Sequence, residues 1–570
     1  MTEKWTFPEL EYKRPDTEEI KNKIMKLTKR VKEAESFEEL LQVYADGDSL
    51  ISIYDSACTI ASIRHTIDTS DKYYDEENHF IEQEYPTIMP YIMDYNDALL
   101  ASSYKDKLEE KYGKQLFTAI ELSKKSFCEA NIHLQQREAE LCDEYQKIIA
   151  SAEIDFDGKK LNLYGIEKYL ENEDRSVRKG AFEAYSEFFS SNEKRFEEIW
   201  NELIENRNEQ GRNLGYDNFI PLGYMNQGRT DYGEKEVERF REQVVENIVP
   251  LCNDLYEAQK KRLGVDELYS YDEKMVFPDG NATPAGDDDY MMAKAQKMYH
   301  DISPETGEFV DFMMEHKLLD LKNRPKKAST GYMTILPDRL APFVFSCFNH
   351  TISDMQVLSH ELGHAFAGYE AMRNQPIFGY YMESTDIAEI HSMSMEQFAY
   401  RYADWFFGEQ ADKYRFQHLQ EAVTFVPFGT AVDEFQHICY KNPELTPKER
   451  TMEWHKLEKK YMPWRKYDNN DFMERGGWWY HKIHIFLYPM YYINYCLTTM
   501  GAMEFKKKDA QDHSKAWSDY MKLCKVGGSM SYLETLKYAN VTNPFSDGAV
   551  KNSISYAGEI LEDTIRKNDK

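Results

Sequence analysis

The most regular feature of the chain is its hydrophobic spacing, which recurs at three- and four-residue steps over long stretches. Residues with this spacing occupy one face of an α-helix. The stretches cover residues 17–44, 104–150, 176–214 and 234–263, and the spacing resumes at residue 353 and continues toward the C-terminus. The pattern therefore predicts a mainly helical protein.

Strand patterns are few and short. Residues 154–163 alternate apolar and polar side chains around Asp157-Gly158, and this arrangement predicts a β-hairpin. Residues 331–336 and 342–348 are apolar and rich in residues that favour strands. They predict a small sheet that immediately precedes the helix expected from residue 353.

One segment, residues 276–290, interrupts the helical spacing with prolines, glycines and a run of aspartates. Residues of these types favour turns and irregular loops. The segment is therefore either a linker between domains or a surface loop inside one domain. A chain of 570 residues has room for either arrangement.

The composition excludes some classes of protein. Hydrophobic residues make up 42% of the chain, which is enough for a sizeable core and excludes a disordered chain. The formal net charge is −30, and a surface of this sign repels the phosphates of nucleic acid. We therefore expect no nucleic-acid partner; the charge favours solubility, and the alternative is that it attracts cationic peptides or metal ions.

Cysteine spacing and apolar runs bear on the compartment. The eight cysteines are scattered and form no Cys-x-x-Cys pair, so neither a thiolate zinc site nor a thioredoxin-type pair is indicated. Residues 1–6 lack the apolar core of a signal peptide. No apolar stretch is long enough to span a bilayer. We expect a cytoplasmic protein with no membrane partner.

The candidate chemistry centres on the run His360-Glu361-Leu362-Gly363-His364. Ser353 has the pattern of a helix N-cap, so we predict that the helix begins there. Residues four apart share a helix face, so His360 and His364 present both imidazoles to one point; the alternative is a helix with two unrelated surface histidines. Zinc binds neutral imidazoles, and a carboxylate beside them, here Glu361, can take a proton from zinc-bound water.

A zinc site of this kind needs a third protein ligand. Ser384 to Asp386 can cap a second helix, on which Glu389 and Glu396 stand seven residues apart and share a face. Glu389 is the candidate ligand, although it also stands three residues after Asp386 and could instead complete a capping box. Asp386 or Glu383 either orients a zinc-bound imidazole or is a free surface carboxylate.

The motif, followed by Glu389 within residues 388–396, resembles the thimet oligopeptidase and oligoendopeptidase F family of zinc metallopeptidases. Residues 341–345 and Leu358-Ser359, before the motif, are similar to the oligoendopeptidase F branch. Length and character also resemble the bacillary peptidases that cleave collagen-derived peptides. The resemblance covers mainly residues 200–560.

The resemblance implies a zinc ion bound by His360, His364 and Glu389, with Glu361 as the general base. It implies a large two-lobed helical ellipsoid around a deep substrate channel, with a small β-sheet beside the active-site helix. We expect an N-terminal helical lobe over residues 1–200 and a catalytic zinc-peptidase region over residues 201–570.

A second block of residues, 481–495, supports the resemblance to this family. Family members carry a histidine and a Tyr-rich helix that contact the substrate carbonyl and its tetrahedral intermediate, and four residues here fit that description: His484, Tyr488, Tyr492 and Tyr495. Helical steps of four, eight and eleven residues place the tyrosines on roughly one face. His481 competes for the histidine role, Pro489 interrupts the helix, and an aromatic core helix is the alternative.

The predicted function is that of a zinc-dependent endopeptidase that hydrolyses internal peptide bonds of short oligopeptides. Two alternatives stay open. One is a helical zinc carboxypeptidase, and the other is an inactive peptide-binding protein that keeps the fold. The sequence predicts short peptides as partners and leaves the oligomeric state undetermined.

Overall fold

The structure is a computed structural model that describes residues 5–324, 326–328 and 330–568. Residues 1–4, which belong to the segment expected to lack a signal-peptide core, lie outside this range. Helices make up 73% of the structure, and the predicted mainly helical class is confirmed. No helix in the described ranges is long and apolar enough to cross a membrane.

Twenty-four α-helices follow one another along the described chain, with five short strands between them. In the first half they are α1 (Thr17–Glu33), α2 (Phe37–Ile67), α3 (Lys72–Leu100), α4 (Lys105–Tyr112), α5 (Gln115–Ser126), α6 (Ile132–Ala150), α7 (Leu163–Glu167), α8 (Arg175–Asn213), α9 (Ile220–Asn226), α10 (Glu234–Asn247), α11 (Val249–Leu263), α12 (Asp288–Ile302) and α13 (Pro304–Glu315).

The remaining helices begin with the one that carries the histidine motif. They are α14 (Ile352–Asn374), α15 (Thr385–Ala399), α16 (Ala403–Phe407), α17 (Ala411–Lys441), α18 (Pro447–Tyr461), α19 (Asp471–Glu474), α20 (Ile483–Leu487), α21 (Ile493–Gln511), α22 (His513–Val526), α23 (Tyr532–Tyr538) and α24 (Ala549–Asn568).

Helix breaks are the main departure from the predicted pattern. The stretch predicted over residues 17–44 is two helices, because Ser36 starts a new one by accepting a hydrogen bond from the Glu39 backbone N–H (3.2 Å). The stretch over 104–150 is three helices, and the first break falls at Gly113, whose φ is +90°. Hydrophobic spacing carries no signal for a helix cap or a turn, so the prediction treated each of these stretches as a single helix.

The chain divides into two compact units. Unit 1 contains the described residues up to 124 together with 283–409 and 508–541, and unit 2 contains 125–282, 410–507 and the described residues from 542 onward. The change from unit 2 to unit 1 after residue 282 falls inside the irregular segment 276–290. That segment is therefore a link between units, as one of its two interpretations predicted.

Both predicted sheet regions form. Strands β1 (Ile154–Phe156) and β2 (Lys159–Leu161) pair as an antiparallel hairpin in unit 2.

The second sheet lies in unit 1 and has the strand order β3-β5-β4, where β3 is Leu319–Asp320, β4 is Tyr332–Leu336 and β5 is Ala341–Phe345. Strand β5 is antiparallel to β4 and parallel to β3. All five of its residues are buried, and it packs against α14. The predicted small sheet beside the motif helix is confirmed.

Candidate active site

Helix α14 carries the histidine motif on one face. The rings of His360 and His364 lie 4.9 Å apart between centroids, and both side chains are partly buried. The helix begins at Ile352 with Thr351 as its N-cap, whose hydroxyl accepts from the Ser353 backbone N–H (3.2 Å). The predicted cap at Ser353 is therefore wrong by two residues, and the helical register that aligns the histidines is unaffected.

Helix α15 brings Glu389 to the two histidines. One carboxylate oxygen, Oε2, lies 3.1 Å from Nε2 of His360 and 3.5 Å from Nε2 of His364. Because α15 begins at Thr385, Asp386 is inside its first turn and cannot be the N-cap. The capping-box alternative for Glu389 is wrong, and the three side chains meet in one cluster whose potential ligand atoms lie within 4.8 Å of one another.

Gly363 explains how the second helix comes so close. A Cβ atom at this position would lie 2.8 Å from the Cα of Ser392 and 2.9 Å from the Cβ of Met395, both on α15. Contacts this short do not occur between well-packed atoms, so only glycine allows the two helices to approach to this distance. The motif's fourth residue therefore has a structural role that the sequence reasoning missed.

Glu396 is a further member of the site that sequence reasoning missed. Nδ1 of His360 lies 2.6 Å from Oε1 of Glu396 and donates to it, which leaves Nε2 of the ring as the atom directed at Glu389. A carboxylate behind a ligand imidazole orients the ring and fixes its tautomer. The seven-residue spacing of Glu389 and Glu396 was the available signal, since it places both on one face of α15.

The two carboxylates considered for that orienting role are otherwise engaged. Asp386 accepts a hydrogen bond from the Ser384 hydroxyl (2.5 Å), and Glu383 pairs with Nδ1 of His391 (3.0 Å). The Asp386, Glu383 and His391 side chains are all buried. The interpretation of Asp386 and Glu383 as free surface carboxylates is therefore wrong.

The charges of the cluster formed by His360, His364 and Glu389 favour the binding of a cation. Burial alone would raise the pKa of Glu389, but His364 and His360 outweigh it and hold that pKa well below its ordinary value. Burial alone would lower the pKa of His360, but Glu389 and Glu396 raise it well above its ordinary value. Two imidazole nitrogens and a carboxylate oxygen are the donors that zinc takes in a catalytic site with one open position, so the residues fit this metal.

Glu361 lies on the same helix, next to His360 in sequence, and is partly exposed. Within the described ranges its carboxylate makes no hydrogen bond and no ion pair. The neighbouring acids Glu389 and Glu396 both contact histidines. Glu361 is therefore the carboxylate of this cluster that is available to a substrate or a water molecule.

A second cluster of possible ligands lies before α14 and is less suited to a metal. Asp288, His350 and Asp354 also have ligand atoms within 4.8 Å of one another. However, His350 is 65% exposed, and Asp354 accepts the backbone N–H groups of Asn349 (2.9 Å) and His350 (2.8 Å). Asp354 thus holds the turn that leads into α14, which is a structural role.

The tyrosine block of unit 2 differs from its prediction. Helix α20 ends at Leu487 and α21 starts at Ile493, so the helical face expected to carry Tyr488 and Tyr492 does not exist. Pro489 lacks a backbone N–H and its ring excludes a continuous helix. Met490 follows with φ +63°, which turns the chain.

The side chains of the block nevertheless gather around His484. The ring centroids of four tyrosines lie within about 6 Å of the imidazole centroid: Tyr492 at 4.6 Å, Tyr488 at 5.6 Å, Tyr491 at 6.0 Å and Tyr495 at 6.1 Å. His481 instead contacts Phe189, Phe428 and Trp478 among the described rings. The structure therefore groups His484, and not His481, with the tyrosines.

Distant residues hold the break in place. Arg229 donates to the carbonyl of Met490 (2.7 Å) and to Oδ1 of Asn494 (2.8 Å). The Met490 N–H donates to Oε1 of Gln436 (3.0 Å). Arg229 and Gln436 are far from the block in sequence, and no local pattern marks them as its supports.

Members of the block differ in exposure and charge state. Tyr488 is 51% exposed, whereas Tyr492 is only 4% exposed. Burial, and then the charge of Lys482, lower the pKa of His484 to about 3. His484 is therefore neutral at physiological pH, and its ring can donate one hydrogen bond.

The chain is similar to a known protein family, to other sequences and to solved structures. Residues 7–127 match the Peptidase M3 N-terminal domain, and residues 168–279 and 293–553 match Peptidase family M3. The structure of PZ peptidase A with inhibitor 2 is similar, with a TM-score of 0.92 and 41% identity over 98% of this chain and 99% of that chain.

Two sequence relatives are more distant. Oligopeptidase PepF of Bacillus subtilis is 23% identical over 94% of this chain and 82% of its own length. An oligoendopeptidase F homolog of Borreliella burgdorferi is 23% identical over 65% of this chain, and the match spans 63% of that relative's length.

The fold, the histidine–glutamate cluster and the family match agree, and the chain belongs to Peptidase family M3. It is therefore a peptidase, a hydrolase that acts on peptide bonds. The resemblance first drawn from residues 360–364 and 388–396 is confirmed at the level of the family.

Proposed function

We propose that this chain is a zinc-dependent endopeptidase that hydrolyses internal bonds of short oligopeptides. The observation that carries the proposal is the convergence of His360, His364 and Glu389 on one point beside Glu361. Family membership supports the reaction type. The relatives whose names are oligopeptidase and oligoendopeptidase support the endo-acting and short-peptide parts.

In the proposed reaction His360, His364 and Glu389 would hold the metal, and Glu396 keeps His360 oriented through Nδ1. Zinc, when bound, lowers the pKa of a water molecule and polarises a carbonyl group. Glu361 takes a proton from the attacking water and then passes it to the leaving amine. Its carboxylate suits this role because it is partly exposed and has no partner in the described residues.

The tyrosine block supplies the proposed contacts to the substrate. Neutral His484 and the hydroxyl groups of Tyr488, Tyr492 and Tyr495 can donate hydrogen bonds to a carbonyl oxygen or to the oxyanion that develops from it. Clustering of these rings supports a shared role. Strand β4, at the edge of its sheet, offers backbone groups with which an extended peptide could pair.

The experiment compares wild type with Glu361→Gln on an internally quenched peptide that carries a C-terminal amide. We expect about one zinc per chain in both proteins. We expect the rate to fall about 10³- to 10⁴-fold in the variant, because the water loses its base while the ligands remain.

Each alternative has its own signature in the same assay. A carboxypeptidase would fail on the amide and would release single residues from the free acid. An inactive binding protein would leave both peptides intact. Near-normal activity of Glu361→Gln would contradict the general-base role, and an active wild type without metal would contradict the whole proposal. The cytoplasmic location and the division at residue 200 stay predictions.

A further inference from the structure

Lys482 is a cation in aromatic surroundings, and the described ranges supply no partner for its charge. The residue directly precedes α20 and is partly exposed. Its Nζ lies 4.2 Å from the ring centroid of Tyr492 and 5.8 Å from that of Phe428. No described residue forms a hydrogen bond or an ion pair with this ammonium group.

Such a position is costly for a lysine. An ammonium group removed from water loses hydration that two aromatic faces restore only in part. Burial accordingly lowers the pKa of Lys482 to about 8, and Glu167 opposes that shift. Glu167 itself pairs with Lys274 (2.9 Å). At pH 7 a group with this pKa is still protonated by roughly ten to one, so Lys482 remains a cation.

The location connects this unpaired charge to the proposed substrate contacts. Tyr492, which lies under the ammonium group, also packs against His484, with 4.6 Å between ring centroids. Lys482 and His484 are two residues apart in sequence. A peptide that reaches His484 therefore comes within the field of a positive charge in a poorly hydrated environment, where a charged partner is bound more strongly than in water.

We propose that Lys482 binds a carboxylate group of the peptide substrate, either the C-terminal carboxylate or the side chain of an acidic residue. This inference rests on the proposed function, since it assumes that a peptide occupies the block around His484. It predicts that the enzyme distinguishes peptides by a negative charge at a fixed distance from the cleaved bond.

The test uses four types of peptide with the same cleavable core. One pair differs only at the C-terminus, free acid against amide, and contains no acidic side chain. The other pair has a C-terminal amide and carries either glutamate or glutamine, placed in turn at each position flanking the core. Wild type is compared with Lys482→Met, which keeps the length but not the charge, and with Lys482→Arg, which keeps the charge.

We expect wild type to prefer the charged member of one pair in kcat/KM by about 10- to 100-fold, the range of one hydrogen bond to a charged group. Lys482→Met should abolish that preference by losing activity on the charged peptide alone. Lys482→Arg should retain most of it. Lys194→Met, a change at an exposed lysine of the same unit, should leave the preference unchanged.

Binding measured with the Glu361→Gln background separates this inference from the proposed function, because it needs no turnover. Fluorescence titration of the four types of peptide should give the same preference, and it should vanish when Lys482→Met is added. Equal binding of charged and neutral peptides by the Lys482-containing protein would overturn the inference. An equal loss of binding to all the peptides in Lys482→Met would also overturn the inference, because it would indicate that Lys482 supports His484 or the fold. A failure of cleavage alone would count against the proposed function only.

Discussion

The metal cluster lies on two regular helices of unit 1, whereas the tyrosine block of unit 2 lies across a break between two helices. The candidate ligands come from residues 360–389: helical spacing aligns the two histidines, and the packing of α15 on α14 brings Glu389 to them. The block depends on Arg229 and Gln436, which are remote in sequence. Regular helices thus place the ligands locally, while long-range hydrogen bonds place the tyrosines.

This difference implies that the two regions fail in different ways. Changes to the candidate ligands, or to the carboxylate that orients one of them, should appear first as altered metal binding. Changes in the block should leave the metal bound and reduce turnover. Metal content and turnover therefore report separately on the two regions, and a variant of one region that gave the signature of the other would weaken the comparison.

Among the variants that test this comparison, the largest expected effect concerns Tyr488. Its exposed ring can present a hydroxyl to the substrate, whereas Tyr492 is buried between Lys482 and His484. We expect Tyr488→Phe to lower kcat about 10²- to 10³-fold, as the loss of one oxyanion donor does, with zinc content unchanged. Tyr492→Phe is the matched control and should cost less. Measurements of kcat and zinc content on both variants test this prediction. A larger loss of kcat in Tyr492→Phe than in Tyr488→Phe would assign the hydrogen-bond donor role to Tyr492 instead.

Removing the carboxylate behind His360 should have an intermediate effect. Glu396→Gln weakens the hydrogen bond that orients Nδ1, and such changes lower metal affinity about 10- to 100-fold. Zinc titration against a chelator of known affinity measures the change. Glu361→Gln is the control, because it removes an acid of the same cluster that contacts neither imidazole, and its zinc affinity should match wild type. Equal affinities in all three proteins would exclude the orienting role of Glu396.

The smallest effect is on stability and tests the close approach of α14 and α15. Gly363→Ala places a methyl group 2.8 Å from the Cα of Ser392, which should lower the free energy of unfolding by about 1–3 kcal/mol. Gly368→Ala in the same helix meets Ile335 at 3.5 Å and Met333 at 3.9 Å, both ordinary contacts, and should be neutral or stabilising. Thermal or denaturant unfolding of both variants provides the comparison. Similar stabilities would show that the helices can separate without cost.

Sequence reasoning succeeded where the chain follows a regular period. Residues four apart on a helix must share a face, so the pairing of His360 and His364 followed from the motif alone. The hairpin at Asp157-Gly158 also formed as predicted, because its turn chemistry is local. The prediction of Glu389 as a ligand depended on the family resemblance. Its spacing from Asp386 was equally compatible with a capping box, and only the start of α15 in the structure excluded that alternative.

Sequence reasoning failed where the structure depends on contacts between residues that are distant along the chain. The helical face predicted to carry Tyr488 and Tyr492 does not exist, although Pro489 indicated that the helix would be interrupted there. Nothing near Met490 in sequence indicates that Arg229 would hold its carbonyl. The role of Gly363 was equally hidden, because it is defined by atoms of α15 that no one-dimensional pattern specifies.

The contact between α14 and α22 has a consequence for synthesis of the chain. Phe366, on the buried side of α14, stacks with Trp517 and Tyr520 of α22. These partners are made about 150 residues later, which takes about 8 to 30 s at typical translation rates. For that interval Phe366 lacks the two aromatic rings of α22 that stack on it, so we expect the growing chain to need protection from aggregation until α22 leaves the ribosome.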